Sequence, residues 1–360
     1  MVMMMHFRQF FPTLGPLLLV VAIFTARSVE PGDGRPPVDT GLQQIVEDVL
    51  DKSVEEIHPQ RIIAILADPM TGKILAIASR PAQSSDPGTA SNDAVSFCYE
   101  PGSPFKVVAC AGYLKGSDAS VFCENGAFAI DGHTIKDYKP YGNQTPLEVL
   151  KTSSNIGSAK MALQQGGTNY LATVNSFGFG RKTGIPVPGE ATGKVDGNAG
   201  DLTLALMAFG RSASVTPIQM LMAYATLANG GMLLPPTLAI SPVNPRPTGT
   251  RILPESLATA ISKALLVKDP GLARVDGISV AGKSGTTPDG SEFVTSFVGF
   301  FPIEHPKVVG IVVVDKADVK NEINYGGLVA APIFSKIAEK AAVYLHITEP
   351  AAKVSRTTTP

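Results

Sequence analysis

The chain has 360 residues, 44% of them hydrophobic, with a formal net charge of −1. That is enough apolar content for a sizeable core, and at about 150 residues per domain the length allows two domains or one large one. The charge balance excludes the electrostatic footprint of a nucleic-acid binder and a polybasic tail for anionic lipid.

Between Arg8 and Arg27 the residues 10–26 form an apolar run. As a helix this run spans ~25 Å, a little short of a ~30 Å hydrocarbon core. Residues 1–29 read as a membrane anchor, with a cleaved signal peptide as the alternative; Phe24-Thr25-Ala26 is a poor match to A-x-A. Either way the rest of the chain is expected to be exported. Residues 30–38 (EPGDGRPPV) form a Pro/Gly-rich linker, and residues 39–347 hold the main domain.

Leu42, Ile45, Val46, Val49 and Leu50 recur at helical spacing. Two β-rich runs, residues 61–67 and 73–78, flank the turn Asp68-Pro69-Met70-Thr71-Gly72 and predict a hairpin. Residues 79–96 read as polar loop. Helical patterns follow around 147–150, 156–164, 170–177, 202–209 and 217–227, separated by short Gly/Pro loops. Strands return at 278–281, 293–301 and 308–314, then a helix at 329–345 and a polar tail, 348–360, expected to be disordered. Strands from both chain ends bracketing a helical middle imply an α+β fold, an α/β sandwich in which one antiparallel sheet carries a helical subdomain.

Cys98, Cys110 and Cys123 lack CxxC spacing and read as small buried hydrophobes rather than a disulfide framework or zinc site, with a single bridge between an undetermined pair as the alternative in an exported domain. The five histidines form no HExxH-like pair, so no metal enzyme is expected.

Three short words could carry chemistry. In Ser103-Pro104-Phe105-Lys106, Pro104 fits only a first helical turn, which puts Ser103 at a helix start with Lys106 one turn away on the same face. No other Ser in the chain has Lys three residues on. Alone the word is weak, since an N-cap beside a solvated lysine looks the same. In Ser153-Ser154-Asn155 a hydroxyl could relay a proton and an amide could hold a carbonyl, although Ser/Asn pairs are also common helix caps. The third word occurs twice. Lys182-Thr183-Gly184 leads into Ile185-Pro186-Val187-Pro188-Gly189, which cannot be a regular strand. Lys283-Ser284-Gly285 follows the β-like run 278–281, and an edge strand of small residues admits a substrate backbone. Function is therefore assigned to Lys283, and Lys182-Thr183-Gly184 is read as a structural loop.

In the order SxxK, SxN, K-[ST]-G these words resemble the set of penicillin-binding proteins and serine β-lactamases. The flanking segments Tyr99-Glu100-Pro101-Gly102-Ser103, Thr183-Gly184-Ile185-Pro186-Val187-Pro188-Gly189-Glu190, Ser214-Val215-Thr216-Pro217-Ile218-Gln219 and Ser296-Phe297-Val298-Gly299-Phe300 are similar to the transpeptidase domain of class B penicillin-binding proteins. The resemblance covers residues 38–347 and implies the fold of the serine β-lactamases and D,D-peptidases. The chain departs from the family at Pro104, at Ser284 and in Gly210-Arg211-Ser212-Ala213, which replaces a glycine-richer segment.

The resemblance implies that Ser103 attacks the penultimate D-Ala carbonyl of a D-Ala-D-Ala peptidoglycan stem, or a β-lactam ring. Lys106 would be the base, and lowering an amine from about 10.4 to about 7 takes about 4 kcal/mol of burial and like-charge repulsion, with Lys283 the nearby charge. Ser153 would pass a proton to the leaving amine and Asn155 would bind the substrate amide. The backbone N–H groups of Ser103 and Thr286 would form the oxyanion hole, while Lys283, Ser284, Gly285 and Thr286 hold the terminal carboxylate. No metal or organic cofactor is implied. The expected location is the bacterial inner membrane, with the catalytic domain periplasmic. Only about ten linker residues follow the anchor, where class B proteins usually carry a pedestal domain, so a division or elongation glycosyltransferase is the partner the sequence supports least. The competing readings are a D,D-carboxypeptidase, a β-lactamase and a non-catalytic penicillin-binding sensor or scaffold. A Ser-His-Asp hydrolase lacks its G-x-S-x-G elbow here.

Overall fold

Asp39 starts the first helix, α1 (Thr40–Ile57): its carboxylate accepts hydrogen bonds from the amides of Gly41 and Leu42, both at 3.0 Å. The computed structural model describes residues 38–80, 93–238, 248–268, 273–318 and 325–347. The anchor-like run 10–26 and the tail 348–360 lie outside these, and among the described residues no helix is long and apolar enough to cross a membrane.

The expected hairpin follows as β1 (Arg61–Ala67) and β2 (Ile74–Arg80). Its turn is held by Asp68, which accepts from Met70 N and Thr71 Oγ1, both at 2.8 Å, and by Gly72 at φ 73°. Most of the expected loop 79–96 falls outside the described residues, but its end forms a single turn, α2 (Asp93–Ser96). A 3-10 turn, Ser103–Phe105, then runs into α3 (Lys106–Leu114). Pro104 lies in this first turn, directly after Ser103, as the sequence requires.

Four short strands that carry no clear periodic pattern come next: β3 (Val121–Phe122), β4 (Ala127–Ile130), β5 (His133–Lys136) and β6 (Asn143–Gln144). They pair as β3 with β6 and β4 with β5. The helical middle is α4 (Pro146–Thr152), α5 (Asn155–Gln165), α6 (Gly167–Ser176), α7 (Asp201–Met207) and α8 (Pro217–Ala228), close to the expected spans. Thr145 and Thr216 open α4 and α8 with capping boxes closed by Glu148 and Gln219. A two-strand pair, β7 (Met232–Leu233) with β8 (Thr250–Arg251), and a helix the sequence reading passed over, α9 (Glu255–Ala264), lead to the last strands.

These are β9 (Ala281–Asp289), β10 (Glu292–Phe301) and β11 (Val308–Asp315), followed by α10 (Ala330–Tyr344). The strand expected at 278–281 begins where that run ends, so Lys283 lies within β9 rather than after it. The sheet order is β2-β1-β11-β10-β9, antiparallel throughout. One face of β1 and β11 (Ile63, Ile65, Ile311, Val313) packs on the helical middle, and the other (Ile62, Ala64, Val312, Val314) on α1 and α10. Burial on both faces explains why these two runs are continuously apolar rather than alternating. The architecture is α+β, with the central sheet sandwiched between helices. Cys110 and Cys123 are buried and free, as expected, but Cys98 is exposed.

Candidate active site

Ser103 stands at the start of the 3-10 turn, and the turn itself rests on β9. Gly102 takes φ 62° and ψ −144°, a conformation for glycine. A Cβ there would lie 2.8 Å from Thr287 Oγ1 and 3.5 Å from the amide nitrogen of Thr286. A Cβ on Gly285 would lie 2.5 Å from the carbonyl of Pro101. Missing side chains thus let the Ser103 segment and the strand approach until their backbones touch. Phe105 anchors the turn from beneath, its ring 4.7 Å from that of Phe179, and Tyr224 donates from its hydroxyl to the Pro104 carbonyl at 3.1 Å.

Lys106 is buried, 1% exposed. Its Nζ is surrounded by four oxygens: the Ser153 carbonyl at 2.6 Å, Asn155 Oδ1 at 2.7 Å, and the hydroxyls of Ser103 and Ser153 at 3.0 Å each. Ser153 Oγ is also 3.0 Å from Ser103 Oγ. Burial, then the charge of Lys283, holds the Lys106 amine well below the ordinary lysine range, against an opposing pull from Asp137. A neutral amine has two N–H donors and one lone pair. The two closest oxygens can only accept, so they take the donors, and the lone pair is left to the two hydroxyls. That arrangement can receive a proton from either serine.

Two local features set it up. Ser153 ends α4 at φ 59°, ψ 37°, a left-handed conformation unusual for a residue with a side chain; its carbonyl reaches Lys106. Ser154, not Ser153, is the helix cap: it starts α5 by accepting from Gly157 N at 2.8 Å. Asn155 is then the first residue of α5, with Oδ1 on Lys106 and Nδ2 donating to the Lys136 carbonyl at 2.9 Å. One Nδ2 hydrogen stays available to a ligand.

Sequence reasoning missed Asp137. Its carboxylate accepts from Asn155 N (2.5 Å), Ile156 N (3.1 Å) and Ser154 Oγ (2.5 Å), sitting on the positive end of α5. No periodic pattern marks it, because it follows a two-strand pair and meets α5 only through the fold. Also missed was the bracing of the Ser103 segment by Gly210-Arg211-Ser212. Gly102 N donates to the Gly210 carbonyl at 3.0 Å. Glu100 accepts from Ser212 N at 2.8 Å and pairs with Arg211 at 2.6 Å. The segment that departs from the resembled family therefore supports Ser103 directly.

Lys283 lies on β9 in register with Val298. Burial lowers its amine to about 8. Thr286 Oγ1 accepts from Gly326 N at 2.9 Å, keeping its own hydrogen free for another acceptor. β9 is the last strand in the sheet order; the start of its outer edge is covered where Gly282 N donates to the Leu265 carbonyl at 2.9 Å, and beyond Gly282 that edge can meet an extended chain. A cavity of about 320 Å³ borders Gly282, Lys283 and Ser284. A larger one, about 780 Å³, borders Met70, Asn229 and His305 and includes none of these residues.

The decoy behaves as the sequence predicts. Lys182-Thr183-Gly184 lies in a loop, where the buried carboxylate of Glu190 accepts from Thr183 N (2.5 Å), Thr183 Oγ1 (2.6 Å) and Gly184 N (3.2 Å).

Residues 62–339 match the family described as the penicillin binding protein transpeptidase domain. Over 341 residues the chain is 34% identical to stage V sporulation protein D of Bacillus subtilis, covering 85% of this chain and 52% of the relative. It is 31% identical to the peptidoglycan D,D-transpeptidase FtsI of Escherichia coli, covering 83% of this chain and 54% of the relative. The chain thus spans about half the length of these curated relatives. Among solved structures, the transpeptidase domain of Burkholderia pseudomallei penicillin-binding protein 3 superposes with a TM-score of 0.77 at 29% identity, covering 89% of this chain and 99% of that one.

Proposed function

Since the chain belongs to the penicillin-binding protein transpeptidase domain family, we propose that it is a serine D,D-transpeptidase that cross-links peptidoglycan stems and is acylated by β-lactams. The observation that carries the reading is the buried Lys106 amine, 3.0 Å from both the Ser103 and Ser153 hydroxyls. Ser103 Oγ attacks the penultimate D-Ala carbonyl while its proton moves to the neutral Lys106. The oxyanion forms against the N–H groups of Ser103 and Thr286. Ser153 returns a proton to the leaving nitrogen, the C–N bond breaks, and D-alanine departs. Asn155 holds the donor amide. Lys283, with the hydroxyls of Ser284 and Thr286 and the close backbone approach at Gly285, holds the terminal carboxylate. A second stem's amine then takes the acyl group from Ser103. Residues 10–26 anchor the chain in the inner membrane with this domain outside the cytoplasm.

The test is incubation of the full chain with benzylpenicillin and with a D-Ala-D-Ala peptide, followed by intact mass and product analysis, alongside Ser103→Ala. A long-lived penicillin adduct lost in the variant, with amide product from an added amine, is the expected result. Release of D-alanine with free acid only marks a carboxypeptidase, and rapid release of hydrolysed drug a β-lactamase. A folded protein that forms no adduct is a scaffold.

A further inference from the structure

Arg61, Asp93 and Asp315 form a buried charge cluster that the acyl-transfer steps above do not use. Arg61 opens β1 and lies in register with Asp315, the last residue of β11. Both side chains point to the face of the sheet that carries the helical middle, the face of Ile63 and Val313. Arg61 Nε donates to Asp93 Oδ2 at 2.8 Å and Nη1 to Asp315 Oδ2 at 2.9 Å, and none of the three side chains is more than 10% exposed. Asp93 begins α2, the turn that leads into the Ser103 segment.

As a stabilising device the cluster is inefficient. One cation faces two carboxylates, and Asp315 Oδ1 is buried with no hydrogen-bond partner among the described residues. Taking three charges out of water costs about what their attraction returns, so apolar side chains of similar volume would stabilise the fold as well. What they would not supply is direction. A guanidinium is a rigid plane. Its nitrogens are set by the two carboxylates, and its central carbon stands 4.4 Å over the Phe97 ring. Phe97 stacks in turn on Tyr99, with centroids 5.9 Å apart and planes 6° from parallel. Tyr99 is buried and pairs with Val215 through both backbone groups, at 3.0 and 2.9 Å. Its hydroxyl is hydrogen-bonded to the Ser296 side chain. Ser296 is the register partner of Gly285, where the Ser103 segment touches β9.

That path ends where the reaction needs precision. Ser103 Oγ lies 3.0 Å from both Lys106 Nζ and Ser153 Oγ, and a small displacement of its segment breaks both contacts. Arg61 itself is remote. Through β11 and β10 it stands three strand spacings, about 14 Å, from Thr287 on β9. The charges that act on Lys106 are Lys283 and Asp137, not Arg61. Its route to the site is therefore geometric rather than electrostatic. We infer that Arg61 is a positioning residue for Ser103: clamped between Asp93 and Asp315, its guanidinium sets the Phe97–Tyr99 stack, and the stack sets how the Ser103 segment rests on β9.

This inference rests on the proposed acylation of Ser103, and stopped-flow acylation of the full chain by benzylpenicillin separates the two. Saturation curves give a noncovalent dissociation constant and a limiting acylation rate per active molecule. Arg61→Met alone would strand two buried carboxylates, so the charges are removed together in Arg61→Met, Asp93→Asn, Asp315→Asn, with folding checked by thermal unfolding. The limiting rate should fall about 100-fold, the cost of a misplaced reacting group. The dissociation constant, set by Lys283 and its neighbours, should stay within about threefold. Phe97→Leu keeps every charge paired and should lower the limiting rate about tenfold, where a role in stability alone leaves it unmoved. Added to the triple variant, Phe97→Leu should cost less than about twofold more, because both changes cut one path. Unchanged limiting rates in folded variants, a loss confined to the dissociation constant, or losses that multiply overturn the inference. Should the triple variant not fold, Phe97→Leu decides alone. An unaltered chain that forms no adduct overturns the acyl-transfer reading, and this inference with it.

Discussion

Lys182-Thr183-Gly184 and Lys283-Ser284-Gly285 spell nearly the same word, yet the fold uses them in opposite ways. The first lies in a loop whose hydrogen-bonding capacity is spent internally. Glu190 takes both amides and the Thr183 hydroxyl, and Gln219 donates to the carbonyls of Arg181 and Thr192 at 2.8 and 2.9 Å. The second lies on a strand that pairs with β10 on one side and, on the other, is bridged only at its start, where Ala281 and Gly282 meet Leu266 and Leu265. Its glycine lets the Ser103 segment close on it, and its lysine is half-buried, with its charge felt by Lys106. Three letters do not make a site; a site needs an open backbone edge, a lysine shielded from water and a nucleophile within reach.

Substitutions at paired positions give the sharpest separation. Lys283→Ala should lower the second-order rate of penicillin acylation by about 100- to 1,000-fold, the loss typical of a preorganised electrostatic contact. Lys182→Ala should change it by less than about twofold, since Lys182 is an exposed loop residue. Stopped-flow acylation of both variants checks this, and equal losses would break the comparison. Glu190→Gln should do the reverse. Losing the charge on two amides and a hydroxyl costs about 1.5–3 kcal/mol of stability. Thermal unfolding should register that cost, while the acylation rate per folded molecule stays within about twofold.

Smaller effects follow near Lys106. Asp137 raises the Lys106 amine, opposing burial and Lys283. Removing its charge in Asp137→Asn should lower that amine further and move the acidic limb of the acylation profile to lower pH, by about one pH unit or less. A shift to higher pH would contradict the assigned field. The smallest change is expected for Ser284→Thr, which keeps the hydroxyl on β9 and adds a β-branch suited to a strand; acylation should stay within about threefold.

Much of this site was legible in order along the chain. Pro104 fixed the helix start, so the one-turn spacing of Ser103 and Lys106 followed from local rules. The strand context of Lys283 and the proline-broken context of Lys182 separated the two similar words before any tertiary contact was known. What stayed hidden is non-local. Asp137 meets α5 across a loop, Gly210 meets Gly102 through a backbone hydrogen bond between distant segments, and Gly326 meets Thr286 at the rim of β9. None of these contacts leaves a periodic trace. The missed helix α9 is a different case. Pro254 precedes it and Leu257, Ile261 and Leu265 recur at four-residue spacing, so its signal was local and was passed over.

The central claim is that Lys106 is neutral when Ser103 reacts while Lys283 stays charged, and the pH dependence of acylation tests it most directly. Lys106 can act as base only when deprotonated, so the rate should fall as pH drops through its lowered pKa. Lys283 can hold a carboxylate only when protonated, so the rate should also fall as pH rises through about 8. Rates of benzylpenicillin acylation of the full chain between about pH 4 and pH 11 should therefore trace a bell. A rate that climbs without a maximum to about pH 10.4, where an ordinary lysine titrates, would contradict the account.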